Sequence, residues 1–182
     1  GPGGNYPTIQ QGVNAARMGD TVLVYEGVYT APYGYYYDPN TFESYIDTMA
    51  SGIDFHGKRI TLKSITPESI VIIDCQKTGR AFYFHSGEDA NTVVSNIIIR
   101  NGYVHGPVGH SGSYGGSVPT DPNDPNTGYD PNAGPGGDAF GDGWGGGIFC
   151  TNGSSPMFID CTITNCLVSG AVGGQGGSGL HT

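Results

Sequence analysis

The chain has 182 residues, 33 of them glycine, with 13% charged side chains and a formal net charge of −9. Seven basic residues are too few for a phosphate-binding surface, and no apolar run approaches membrane-spanning length, so the sequence argues against nucleic acid and against membrane insertion. An acidic balance suits cation binding or an extracellular surface, and the length fits a single domain with a real core.

The glycines follow no three-residue period, which excludes collagen. They crowd into residues 106–146, where composition alone reads as disorder, whereas apolar strand-like runs recur elsewhere. Gly1-Pro2 reads either as the start of a processed chain or as a cloning remnant.

Residues 6–20 read as a helical cap. Thr8 and Gln11 make a capping-box pattern, Ile9, Val13 and Ala16 share a face, and Gly19 supplies a stop. That pattern predicts an amphipathic helix from Thr8 to Met18. Thr21–Tyr25 and Gly27–Thr30 follow as strands. Residues 31–52 form an aromatic insertion carrying Tyr33, Tyr35, Tyr36, Tyr37, Phe42 and Tyr45, within which 42–49 reads as a short helix. These rings suit a protein interface, stacking on sugars, or a local mini-core folded back on the flank.

Strand signals return at 53–55, 60–64, 70–74, 81–85, 93–94 and 97–100. After the Gly-rich stretch they reappear at 148–151 and again where Ile159, Cys161 and Ile163 alternate with polar residues. Many short strands between turn signals predict an all-β fold.

An internal repeat narrows the choice. Laying Val94–Gly106 over Phe158–Gly170 sets Ile99 on Ile163, Asn101 on Asn165 and Val104 on Val168. Upstream, Phe82-Tyr83-Phe84 falls on Ile148-Phe149-Cys150. A solenoid needs the same bend residue in successive units and a sandwich does not. Asn101 and Asn165 are therefore read as corners whose amides ladder, with Cys150, Cys161 and Cys166 as repeat positions beside them. Asp74-Cys75 and Asp160-Cys161 read as another repeated position. Three readings of the four cysteines stay open: reduced core residues, one disulfide, or metal ligands.

With Tyr6-Pro7-Thr8-Ile9-Gln10, Gly19–Val24, Gly27-Val28-Tyr29, Ile60–Ser64 and Ile163-Thr164-Asn165 in place, the chain resembles secreted bacterial right-handed parallel β-helix proteins of pectate-lyase-like architecture. The likeness covers residues 6–30, 53–105 and 146–170. It implies a single solenoid domain of about five coils with a short N-terminal capping helix, from which residues 31–52 and 106–146 depart as two loop insertions that leave the coil. Residues 177–182 read as the start of an incomplete coil, so the solenoid's far end is expected to be uncapped. Such folds host lyases, hydrolases, adhesins and structural proteins alike.

For chemistry, Asp121, Asn123, Asp124, Asp130, Asp138 and Asp142 supply clustered oxygens of the kind Ca²⁺ takes, although no EF-hand spacing is present and the same residues also build plain loops. The basic residues Lys58, Arg59, Lys63, Lys77, Arg80 and Arg100 are scattered. The carboxylates Asp74, Glu88, Asp89 and Asp160 have no evident pairing, and the five histidines are dispersed, so no catalytic residue is assigned. Asn152-Gly153-Ser154 is a glycan-acceptor pattern and equally a turn. The expected function is a non-enzymatic extracellular structural or surface protein that self-associates through an uncapped end, as a homo-oligomer, head-to-tail polymer or filament. The alternatives are a polysaccharide lyase or glycoside hydrolase domain and a carbohydrate-binding module.

Overall fold

The structure is a computed structural model, and it describes residues 5–38, 43–47, 51–105 and 145–170. The chain divides into two compact units, one of residues 1–105 and 143–169 and one of 106–142 and 170–182. Among its described residues the first unit is mostly β, with one helix, four parallel sheets and one antiparallel pair of strands.

Helix α1 runs Ile9–Ala15. The capping box forms as its sequence predicts: Gln11 N donates to the Thr8 hydroxyl, and the Gln11 side chain accepts from Thr8 N. The helix is shorter than expected, because Ala16 is already extended and Gly19, at φ +86, belongs to the turn that follows. Two ties hold it down. Gln10 pairs with both backbone groups of Asp54, and Lys58 Nζ donates to the carbonyls of Val13 and Asn14, where the helix leaves acceptors unpaired.

The strands are β1 (Thr21–Val24), β2 (Gly27–Thr30), β3 (Gly34–Asp38), β4 (Glu43–Asp47), β5 (Ile53–Asp54), β6 (Thr61–Ser64), β7 (Val71–Asp74) and β8 (Phe82–Phe84). They continue as β9 (Val93–Ser95), β10 (Ile98–Arg100), β11 (Tyr103–His105), β12 (Ile148–Cys150), β13 (Met157–Ile159), β14 (Thr162–Thr164) and β15 (Leu167–Ser169). The parallel sheets have the orders β1-β6-β9-β13, β2-β7-β10-β14, β5-β8-β12 and β11-β15. From β5 onward the chain visits the first three in rotation, and the β11-β15 sheet joins the cycle after β10 and again after β14. The repeat seen in the sequence is the pairing register: Ile99 lies beside Ile163, Val104 beside Val168 and Phe82 beside Ile148.

Side chains on one face of each strand fill the core. Leu62, Ile73, Phe82, Phe84, Val94 and Ile99 are fully buried. Each aliphatic residue of this kind contributes roughly 1.5–3 kcal/mol by leaving water. Phe55, Phe82, Phe84 and Phe158 interlock with ring centroids 5.1–6.2 Å apart, Phe82 and Phe84 stacked and the other pairs tilted or edge-on.

Several expectations are corrected. The helix proposed for 42–49 is strand β4 where described, paired antiparallel with β3 so that Tyr36 faces Tyr45. The alternating run Ile159-Cys161-Ile163 is two strands, broken at Asp160, which is left-handed at φ 52. Asp160 shares its place with Asn96, whereas Asp74 lies beside Arg100, so the two Asp-Cys pairs are not one repeated position. Strands β11 and β15 had no counterpart among the expected elements.

Candidate functional site

Among the described residues, strands β12, β13 and β14 stand at the edges of their sheets, and β15 has β11 as its only partner. Along this rim the core pattern continues on side chains that are partly exposed. Ile163 is 53% exposed, while Ile99 and Ile73, beside it in register, are 0% exposed. Val168 is 39% exposed against 0% for Val104. Met157, Ile159 and Leu167 add exposed apolar area. An unpaired strand edge also presents backbone N–H and C=O groups to any incoming chain.

The bends behind this rim are built by left-handed residues. Asn152, Asp160 and Asn165 have φ of 51, 52 and 51, a conformation that Asn and Asp tolerate best among non-glycine residues. One bend carries a ladder: Asn165 Nδ2 donates to Asn101 Oδ1 at 2.6 Å, and Asn101 Nδ2 donates to Asp74 Oδ1 at 3.0 Å. Asp74 also accepts from Arg100 Nε at 2.8 Å and from Gln76 N. Burial alone would raise the Asp74 carboxyl, but the Asn101 amide, the Gln76 N–H and Arg100 bring it below its ordinary value.

A second cluster escaped the sequence reading. Asp54 Oδ2 lies 3.0 Å from His56 Nδ1 and 2.9 Å from His85 Nε2, and Tyr83 stacks on His85 with centroids 4.3 Å apart. His56 and His85 are 29 residues apart in sequence and meet only because β5 pairs with β8. The one available clue was the Asp-x-His spacing of Asp54 and His56.

Glu88 is the third feature. It is buried, and its carboxylate accepts from Gly57 N, Ser86 N and the Ser154 hydroxyl at 2.8–3.0 Å. Three separate turns are thus tied to one side chain. Burial pushes this carboxyl up, and the Gly57, Ser154 and Ser86 donors outweigh it, leaving the group below its ordinary value. A depressed folded value means that Glu88 stabilises the fold above the usual carboxylate range and loses that contribution as pH falls through the folded value. Glu88→Gln is therefore expected to cost about 1–3 kcal/mol at neutral pH and to flatten the acid limb of a plot of urea midpoint against pH.

The remaining candidates from the sequence fall as follows. Asp121, Asn123, Asp124, Asp130, Asp138 and Asp142 lie outside the described residues, as does Phe42. Tyr33 is exposed. Tyr35, Tyr36 and Tyr37 lie on β3 and Tyr45 on β4. All four cysteines are free: Cys75 is buried, Cys161 and Cys166 are half-buried, and Cys150 is exposed rather than stacked in the core. Burial first, then Cys166 and Asp74 nearby, push the Cys75 thiol up to about 12. Arg59 pairs with Asp89 and Arg100 with Asp74, so these carboxylates meet bases rather than each other. Arg80 is buried, with its guanidinium over Tyr83 and Phe149 at 5.4 and 4.8 Å. Asn152 and Ser154 are engaged with His85 O and Glu88, which makes their segment a tied turn.

Among the described residues no group of three or more His, Cys, Asp or Glu side chains is placed to hold a metal ion, and no helix is long and apolar enough to cross a membrane. In comparisons with known proteins, no family model matches the chain, and neither does any curated protein or solved structure.

Proposed function

We propose that the chain is a non-enzymatic structural or surface protein of the extracellular space, a right-handed parallel β-helix that self-associates through its open strand edge. The observation that carries this reading is the exposure of Ile163 and Val168 in register with fully buried partners. A core pattern that runs on into solvent marks a surface meant to be covered. The opposite edge supports the asymmetry, since α1 packs there against β1 and β5 and buries Ile9 and Val13. The rotation of the chain through its parallel sheets supports the β-helix itself. The enzyme and carbohydrate-binding alternatives have no comparable support among the described residues.

The test is sedimentation velocity over a wide concentration range. Ile163→Lys combined with Val168→Lys is expected to weaken association about tenfold or more while leaving the unfolding midpoint nearly unchanged, since both side chains are partly solvated already. A chain that stays a monodisperse monomer throughout, or a variant that associates as well as the parent, would sink the proposal.

A further inference from the structure

The dipeptide Asn-Gly occurs twice in the sequence, as Asn101-Gly102 and Asn152-Gly153, and both asparagines stand at left-handed bends. A glycine after asparagine leaves its backbone nitrogen unshielded by a Cβ and free to turn toward the asparagine side chain. The two bends differ in how far they allow this. Asn101 is held at both ends of its amide: Nδ2 donates to Asp74 Oδ1 at 3.0 Å, and Oδ1 accepts from Asn165 Nδ2 at 2.6 Å. Its backbone N donates to Thr164 O, and its carbonyl accepts from Lys77 N. Gly102 is buried against the Gly146 carbonyl, which leaves the peptide between 101 and 102 no room to turn. At the other bend only the ends are tied. Thr151 N donates to Phe84 O, the Ser154 hydroxyl donates to Glu88, and one backbone bond, from Ser154 N to Thr151 O, closes the turn. Between them Asn152 and Gly153 are exposed, and nothing stands within 4 Å of where a Gly153 Cβ would lie. The Asn152 side chain makes one hydrogen bond among the described residues, from Nδ2 to His85 O at 3.1 Å.

We propose that Asn152 is a site of spontaneous modification, at which the folded chain loses a side-chain amide and gains a carboxylate, while the fold protects Asn101 in the same dipeptide. Gly153 N gives up its proton and attacks Asn152 Cγ. The new C–N bond closes a five-membered imide, the Cγ–Nδ2 bond breaks, and ammonia leaves with the proton. Water then opens the imide at either carbonyl, so one water is taken up for one ammonia lost. The product is aspartate or, with the main chain rerouted through Cβ, isoaspartate. To react, Asn152 must leave its present geometry, which breaks its one bond to His85 O and turns a peptide with open space around it. The same movement at Asn101 breaks both amide bonds and drives Gly102 into the Gly146 carbonyl. The product alters the bend between β12 and β13. Either form removes the donor to His85 O, and isoaspartate adds one atom to the main chain of the turn. Association at the rim is not required for this chemistry.

The test is timed incubation of the dilute full chain at mildly alkaline pH, with a parallel sample kept unfolded in urea. Chymotrypsin separates the two asparagines by cutting at Tyr103 and Phe149, and mass spectrometry of the fragments counts the conversion at each. In the folded chain Asn152 is expected to convert at least about tenfold faster than Asn101, since only the latter must break a bonded and packed bend. In urea, where both are plain Asn-Gly, the two rates are expected to converge. Equal rates in the folded chain, or an Asn152 that converts no faster folded than Asn101 does, overturn the proposal. A ratio that persists unchanged in urea overturns it too, because the difference would then lie in the flanking sequence and not in the fold.

Discussion

Ile99→Ala is expected to destabilise the fold by about 2–5 kcal/mol, whereas Ile163→Ala, one strand further out in the same register, is expected to cost less than about 1 kcal/mol. The two side chains share chemistry, strand position and facing direction. They differ in cover, because Ile99 is fully buried and Ile163 is more than half exposed. Deleting the buried chain loses its transfer energy and leaves a cavity that β7 and β14 on either side cannot close. The outer site has water where the cavity would be. Urea unfolding of dilute protein separates the two values. Similar losses at both positions would mean that Ile163 is covered in solution.

Gly102→Ala is expected to be at least as damaging, for a reason that has nothing to do with apolar area. Gly102 lies between β10 and β11, and a Cβ there would run into the backbone carbonyl of Gly146 and sit 3.0 Å from Cys166 Sγ. Backbone cannot move aside as a flexible side chain can, so the segment ahead of β12 must shift and drag its pairing with β8. The expected cost is about 3 kcal/mol or more, with loss of the hydrogen bond from Leu167 N to Gly102 O. Hydrogen exchange at Leu167 tests the second half of this. An unchanged midpoint together with unchanged protection would refute the close approach.

Much of the architecture was legible because local signals agreed with it. Thr8 and Gln11 announced α1, and Ile99 and Ile163 announced the register, since a repeat that aligns apolar on apolar is already a pairing diagram. The failures have local causes as well. Asp160 hid a bend because Ile159, Cys161 and Ile163 keep a period of two straight through it, and alternation records facing direction but not a change of strand direction. The tyrosines of β3 looked like decoration on a loop, yet a β-rich run followed by Ser44-Tyr45-Ile46 is an antiparallel ribbon. In the sequence Glu88 is one of four carboxylates with no evident pairing, and only the fold shows that three turns converge on it. The Asp54–His56–His85 contact depends on pairing across separate strands, which no short motif encodes.

The spacing of the paired strands has a kinetic consequence. β6 and β9 contact each other across about 32 residues, the span between Ser64 and Asn96, whereas β10 and β14 are joined across 64, the span between Asn101 and Asn165. Doubling a loop adds only about 0.6 kcal/mol of closure entropy, but the longer search is made for a strand set that has a neighbour on one side alone. The strands from β5 to β11 are therefore expected to order first, with β12–β15 condensing on them late, so amide exchange should be faster in β12–β15 than in β6–β10. The same set is expected to leave first when the protein opens, as a separately melting layer whose occupancy a bound neighbour would control.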